Sequence, residues 1–473
     1  MSLFPEDFVR QMEATIGSSS TGLLLEALQK PSPVSIRYND DSRRRFSDDG
    51  NVAWCASGRY LQPPRPAFTF DPLFHAGNYY VQEASSMFIE QAYRRIATEE
   101  QPRRVLDLCA APGGKSTLWR SLLPEQTLLV ANEPLRSRAV VLAENLQKWG
   151  HPDVVVTSAW PVAFQALPAY FDVIAADVPC SGEGMFRKDA GAVGEWSLQN
   201  VEQCAARQRD IIRDVWPALR PGGFLVYSTC TFNRMEDEDN VRFICRELGA
   251  EAVRIDVTDE WGIDGDTAGT DLPVYHFFPH RARGEGFFLA LLRKTAGEPR
   301  QPLRKIRSDK QIAIPKNASF RQWLQEPDAW TFMRSDDGRI SAVHTWWKDE
   351  AWRLKQSVRT LLCGVEVAEE KGRKTVPAHG LAMSRAAAAD AFAQVGLDYA
   401  AALAYLRHES LVLEGGVPRG YVRVAYEGCP LGFVNQLGAR ANNLYPAPWR
   451  IRSSYVPASF EVAAAAYDDT DYV

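Results

Sequence analysis

Between residues 99 and 296, short apolar runs alternate with stretches of helical periodicity, and this alternation limits the fold of the chain more than any other feature. The runs are RVLDL (104–108), TLLVANE (127–133), DVVVT (153–157), DVIAAD (172–177), GFLVYS (223–228) and GFFLALLRK (286–294). Helical patterns fall between them at 115–123, 135–149, 198–219 and 235–248. Such an order predicts an α/β fold, an open and mostly parallel sheet with helices on both faces. In sheets of this kind the residues that act on a ligand lie at the carboxyl ends of the strands.

The flanking regions have a different texture. Residues 1–98 read as a small α+β domain. Phe4, Phe8, Met12 and Ile16 recur at helical spacing, as do Leu24, Leu25 and Leu28, and VSIRYN (34–39) alternates like a strand. Residues 61–74, rich in Pro and Phe, read as a loop leading into 75–87. A polar, basic linker is expected at 297–312, followed by a C-terminal region, 313–473. That region opens with a Trp-rich segment (320–352), continues with an alanine-rich stretch expected to be helical (384–406), and ends in a Gly-rich, β-like part (411–453) and a short acidic tail expected to fray.

A chain of 473 residues with 45% hydrophobic content can bury a large core and by length suggests about two to four domains. Its net charge of −5 carries no global signal for nucleic acid, so any such contact must come from local basic patches. Eight unevenly spaced cysteines include no C-x-x-C pair, which argues against a zinc knuckle or a redox motif and for free thiols in a reducing compartment. The start of the chain does not resemble a signal peptide, and no apolar run approaches the length of a membrane span. The expectation is a cytoplasmic protein, monomeric, with no bound metal and no membrane partner.

Three runs carry chemistry. LDLCAAPGGKST (106–117) follows a strand and opens a helix; its small residues let backbone N–H groups approach a ligand, and the helix start favours an anionic group. It matches neither the dinucleotide fingerprint nor a Walker loop. About 20 residues on, the second strand ends in Glu133, placed as an acid that bonds ribose hydroxyls in a doubly wound sheet. The plainer alternative is a helix-start charge before Pro134. The second run, AADVPCSGEGMFRKD (175–189), ends the fourth strand with Asp177 and Cys180; the third, LVYSTCTFN (225–233), sets Cys230 just past the fifth. Two cysteines at adjacent strand ends should converge on one pocket. For Cys55, Cys204, Cys245, Cys363 and Cys429 the expectation is a small buried hydrophobe, and Cys109 is also best suited to packing in its loop.

At these residues the chain resembles the RNA cytosine-5 methyltransferases of the Sun/Nop family, in particular the branch that acts on bacterial ribosomal RNA. The matching runs are CAAPGGK (109–115), DVPCSG (177–182) and STC (228–230), flanked by RYN (37–39), QEASS (82–86), GEGMFRKD (182–189), FPHRARGEGFF (278–288) and, more loosely, PLGFVNQLGARANNLYP (430–446). The resemblance implies a Rossmann-like S-adenosylmethionine-dependent methyltransferase sheet at 99–296, an N-terminal RNA-binding domain, and a PUA-like α+β RNA-binding part at about 405–456. It implies that Cys230 is the nucleophile and that Cys180 assists product release. It also implies that Cys109, Ala110, Ala111, Pro112, Gly113, Gly114 and Lys115, with Glu133 and Asp177, hold the cofactor or line its pocket. Relatives often carry an Asp near the end of the third strand; here Ser158 is the nearest polar residue. Val178 stands where the family motif usually has Ala.

The chemistry explains why thiols are needed. Carbon 5 of cytosine does not attack a methylsulfonium unaided; addition of a thiolate to carbon 6 makes the ring an enamine with a nucleophilic carbon 5. Charge developing at N3 and the exocyclic amine is work for Asp177, and a second basic group must take the carbon 5 proton before the enzyme is released. The partner implied is RNA, either small-subunit ribosomal RNA or the small ribosomal subunit, with transfer RNA as the alternative. A DNA-type enzyme would use Cys180 as nucleophile, and a non-catalytic assembly factor should have lost a cysteine or the Gly-rich loop. In 405–456, Arg407, Arg419, Arg423, Arg440, Arg450 and Arg452, with Tyr421, Tyr445 and Trp449, form a mix suited to phosphate contact and base stacking. Arg187 and Lys188 are further RNA candidates; His276 and His280 suit core or loop roles equally well. Because every cofactor motif ends before 296, removal of 313–473 is expected to leave the cofactor site assembled.

Overall fold

The structure, a computed structural model, describes residues 3–40, 42, 46, 48–297 and 314–460. The linker expected at 297–312, apart from Gly297, and the acidic tail lie outside the described residues.

A nine-stranded mixed sheet dominates the chain. Across it run Ala250–Ala252, Phe287–Lys294, Leu219–Thr229, Phe171–Asp177, Arg104–Asp107, Leu128–Asn132, Val154–Thr157 and Thr360–Cys363, with Val274–Phe277 paired to Phe287–Lys294 as a branch. The five strands from Leu219–Thr229 to Val154–Thr157 are parallel, and those outside them antiparallel. Strand order reverses between Arg104–Asp107 and Phe171–Asp177, so a crevice opens there at the carboxyl ends. This is the open, mostly parallel sheet read from the strand–helix alternation, and the Rossmann-like architecture that the resemblance implies.

The apolar runs are continuous because both faces of the sheet are covered. Val105, Leu129, Val156, Val173, Val226 and Leu289 pack on one side with Trp54, Met87 and Phe88 of the N-terminal region. Leu106, Val130, Val155, Ile174, Leu225 and Phe288 pack on the other with Met333, Trp347, Leu354 and Cys363 of the C-terminal region. The sheet also takes an edge strand from outside 99–296, since Thr360–Cys363 pairs antiparallel with Val154–Thr157.

The N-terminal region has two helices, Glu6–Ile16 and Ser18–Leu28, and a four-stranded antiparallel sheet containing Val34–Tyr38. The stretch read as a loop at 61–74 contains a short helical turn, Phe68–Phe70, and the start of the helix Pro72–His75. Beyond the linker lie two more four-stranded sheets, one built on Trp330–Arg334 and Arg339–His344, the other on Gly420–Tyr426 and Cys429–Gln436. The alanine-rich stretch 384–406 is not one helix. Ala393–Leu397 is a strand parallel to Gly420–Tyr426, and helix begins only at Tyr399, capped by the Asp398 carboxylate on Ala401 N at 2.8 Å. Ala favours helix by only a few tenths of a kcal/mol per residue, and pairing with a neighbouring strand overrides it.

Sharing a core revises the expectation that 313–473 can be removed without consequence for the sheet. Truncation before 313 would bare the Val154–Thr157 edge and the apolar face under Trp347 and Leu354. The shortened protein should lose solubility or unfold at a clearly lower urea midpoint. In the full chain, Leu354→Ala should cost about 2–5 kcal/mol by urea denaturation. A truncated protein with the full-length midpoint would show that the catalytic sheet does not depend on this region.

Candidate active site

Parallel pairing of Phe171–Asp177 with Leu219–Thr229 sets Asp177 opposite Ser228. Each strand then gives way to a loop, and the loops bring Cys180 Sγ to 3.2 Å from Cys230 Sγ. The two sulfurs, 50 residues apart in sequence, are both partly accessible and share a hydrogen bond. That bond, together with burial, holds the Cys180 thiol well above the usual cysteine range, so Cys180 keeps its proton at neutral pH.

Asp177 stands beside them. Its Oδ1 accepts from Ser228 Oγ at 2.8 Å, and its Oδ2 accepts from Lys115 Nζ at 2.8 Å. Burial opposes the charge on Lys115, but the Asp177 carboxylate outweighs it and raises the Lys115 pKa. Lys115, grouped by the motif with the cofactor loop, thus joins that loop to the cysteine strands. The sequence reading missed this pairing because the partners are 62 residues apart.

The loop 109–113 runs from Arg104–Asp107 into the helix Gly114–Leu122. Gly113 has φ of 119°, a backbone conformation that side-chain-bearing residues rarely adopt. No side chain caps the helix, so the first amides, from Gly114 to Ser116, are placed to receive an acceptor. Cys109 lies in this loop, where burial raises its thiol far out of the reactive range. Below the loop, Asp107 is buried and accepts from Ser116 Oγ at 2.6 Å. Buried Asn132, also absent from the sequence reading, ties three strand ends: its amide donates to Leu108 O and Ala159 O, and its oxygen accepts from Thr157 Oγ1 at 2.8 Å.

Glu133 is 2% exposed; it accepts from Leu135 N at 3.0 Å and lies 3.3 Å from Arg138. It therefore has the helix-start contacts of the plainer alternative while standing at the strand end expected for a ribose ligand. Ser158 Oγ donates to Pro134 O at 3.2 Å, and Ser158 N donates to Arg359 O, so the C-terminal edge strand reaches the same rim.

Other candidates fall away from this cluster. His276 is buried with Nε2 3.0 Å from Glu238, a core role. Arg187 donates to Gly284 O at 2.8 Å, and Lys188 lies 3.6 Å from Glu285. Cys55, Cys204, Cys363 and Cys429 are buried, whereas Cys245 is half-buried. In the C-terminal set, Arg419, Arg440, Arg450 and Arg452 are exposed, but Tyr445 is not available for base stacking; it is 1% exposed and packs on Tyr405 in a core. Its place in an Arg-rich run hid the burial that Leu406 and Val434 impose.

Comparison with known proteins places this geometry. The family model described as 16S rRNA methyltransferase RsmB/F matches residues 95–293, the N-terminal domain of 16S rRNA methyltransferase RsmF matches 4–84, and the methyltransferase RsmF PUA domain matches 392–451. The chain is 34% identical to ribosomal RNA small subunit methyltransferase F of Erwinia tasmaniensis, over 94% of this chain and 96% of that one. It is 32% identical to the protein of the same name from an Enterobacter species, over 94% and 95%. Among solved structures, a methyltransferase homolog protein from Pyrococcus horikoshii is similar at 25% identity, with a TM-score of 0.52 over 62% of this chain and 95% of that one. NSun6 from Pyrococcus horikoshii with SFG shares the fold at 21% identity, with a TM-score of 0.53 over 63% of this chain and all of that one.

Asp107 yields a pH prediction. Burial pushes its carboxyl up to about 7, against the pull of the Ser116 hydrogen bond. The folded state then holds a proton that the unfolded chain has lost, so this contribution to stability is complete below about pH 4 and disappears as pH rises through 7. The stability difference between wild type and Asp107→Asn should fall across that window by an amount on the order of a few kcal/mol, then level off. Urea titrations at half-unit pH steps would measure it; a flat difference would mean that Asp107 ionises as in water.

Proposed function

The chain belongs to the RsmF family of 16S ribosomal RNA methyltransferases, and from that premise we propose that it methylates carbon 5 of a cytosine in small-subunit ribosomal RNA through a covalent adduct on Cys230. The observation that carries the proposal is the pair of thiols 3.2 Å apart beside Asp177, at the carboxyl ends of adjacent parallel strands. Cytosine-5 chemistry needs two groups at neighbouring ring carbons, one adding at carbon 6 and one removing a proton from carbon 5.

S-adenosylmethionine suits the residues that would hold it. Uncapped amides at the start of Gly114–Leu122 fit its carboxylate, and Glu133, Ser158 and the loop 109–113 occupy the rim where a nucleoside would lie. When bound, it supplies an electrophilic methyl group. The chain's own residues do the rest. Cys230 adds to carbon 6 as the thiolate and raises electron density at carbon 5. Asp177, held by Lys115 and Ser228, meets the charge that develops at N3 and the exocyclic amine. Cys180 first gives its own thiol proton to solvent and then takes the carbon 5 proton as the thiolate; the electrons of that C–H bond restore the C5–C6 double bond, and the bond to Cys230 breaks. The target base must be unpaired or flipped to reach two partly buried sulfurs. The exposed arginines of 392–451 and the match there to a PUA domain support a role in holding the RNA, in ribosomal RNA or in the small subunit; we assign the N-terminal domain, matched at 4–84, a share in that role. The small-subunit ribosomal RNA named for the relatives fits a cytoplasmic protein.

Cys180→Ala should attack and methylate but stall, leaving RNA attached in a denaturation-resistant gel shift; Cys230→Ala should give no adduct and no methylation. Trapping in Cys230→Ala with none in Cys180→Ala would reverse the roles. Bisulfite mapping of ribosomal RNA before and after treatment would locate the cytosine.

A further inference from the structure

Two carboxylates lie beneath the cysteine loops, and the mechanism above does not use them. Glu183 belongs to the loop after Cys180 but holds the loop after Cys230: it accepts from Thr231 Oγ1 at 2.6 Å, Phe232 N at 2.6 Å and Asn233 Nδ2 at 3.0 Å. Glu236 belongs to the second loop but holds the first, accepting from Ser181 N at 3.0 Å. Gln208 completes that grip, donating to Glu236 Oε2 at 2.6 Å and to Pro179 O at 3.0 Å. The peptide units on both sides of Cys180 are thereby fixed. Asn233 Nδ2 also reaches Glu236 Oε1 at 2.8 Å, so one amide serves both acids. A main-chain bond from Gly184 N to Cys230 O, 2.8 Å, closes the loops on each other, and a side chain at Gly184 would meet that same carbonyl.

Both glutamates are fully buried, and burial pushes the Glu183 carboxyl up and that of Glu236 to about 7, helped by the charge of Glu183. Apolar packing of the same volume would stabilise the fold as well as buried acids do. What apolar side chains cannot do is fix the peptides around Cys180 against those around Cys230. We propose that Glu183 and Glu236 are positioning residues that hold Cys180 Sγ where it can take the carbon 5 proton while Cys230 carries the base. The inference rests on the covalent reading above and adds to it the means by which the second thiol is aimed.

In the full chain, Glu236→Ala frees the Cys180 loop but leaves Cys230 on its strand end. Attack and methylation should persist while release slows. Turnover should drop by about tenfold or more, as loss of a hydrogen bond to a charged group implies. The fraction of enzyme covalently bound to RNA should rise, with the KM for RNA and the cofactor affinity unchanged. Glu236→Gln, which keeps an acceptor for Ser181 N, should recover part of the turnover. Turnover and adduct falling in parallel, or neither changing, would overturn the proposal. Should Glu236→Ala not fold, Asn233→Ser, which removes the amide shared by both acids, is read the same way. Cys180→Ala serves as the control: if it forms no adduct, the covalent reading fails and takes the positioning role with it, whereas an adduct there with none in Glu236→Ala sinks the positioning role alone.

Discussion

The register between Phe171–Asp177 and Leu219–Thr229 governs the site. Because these strands run parallel with Asp177 opposite Ser228, the residues that follow them leave the sheet at the same height and on the same side. A slip of one residue would turn the apolar faces of either strand away from their cores and separate the two sulfurs. Burial on both faces, by Ile174 and Leu225 on one side and Val173 and Val226 on the other, opposes that slip. The reactive geometry is therefore a consequence of ordinary core packing, refined locally by the Glu183 and Glu236 contacts.

The N-terminal region contributes to the same site from a distance. Arg37 of the RYN run is fully buried; it donates to Gln82 Oε1 at 3.0 Å and Thr117 Oγ1 at 2.6 Å and lies over Trp149. Burial lowers its pKa to about 10, still high enough to keep the charge at neutral pH. Thr117 is in the helix that begins the candidate cofactor site, so a buried cation from one region braces the helix of another. Glu83 works in parallel, accepting from Ser85 N, Ser86 N and Glu285 N near 3.0 Å. The RYN and QEASS runs, which resemble the family's flanking motifs, thus act as joints between regions.

How much of this was legible depends on sequence distance. The six apolar runs become strands, since a strand covered on both faces needs an unbroken apolar stretch. The meeting of Cys180 and Cys230 follows from placing both at adjacent strand ends. The edge strand Thr360–Cys363 was hidden because a short strand beyond a polar linker has no local sign of the sheet it will join. Tyr445 in an Arg-rich run and the alanines before Tyr399 misled for a related reason: their surroundings in space, a packed core and a parallel neighbour, do not appear in their neighbours in sequence. Lys115 paired to Asp177 and Asn132 bridging three strand ends are long-range polar contacts of the same kind.

The most direct test of the central claim is to identify the sulfur that joins the base. RNA containing 5-fluorocytosine lets the thiolate add to carbon 6 and the methyl group arrive, but carbon 5 then carries fluorine in place of the proton that must leave. Wild-type protein incubated with such RNA and the cofactor should be trapped, then digested and sequenced by mass spectrometry. A nucleotide mass on the peptide bearing Cys230, with the Cys180 peptide unmodified, is the expected result; the same mass on Cys180 would contradict the assignment of the nucleophile.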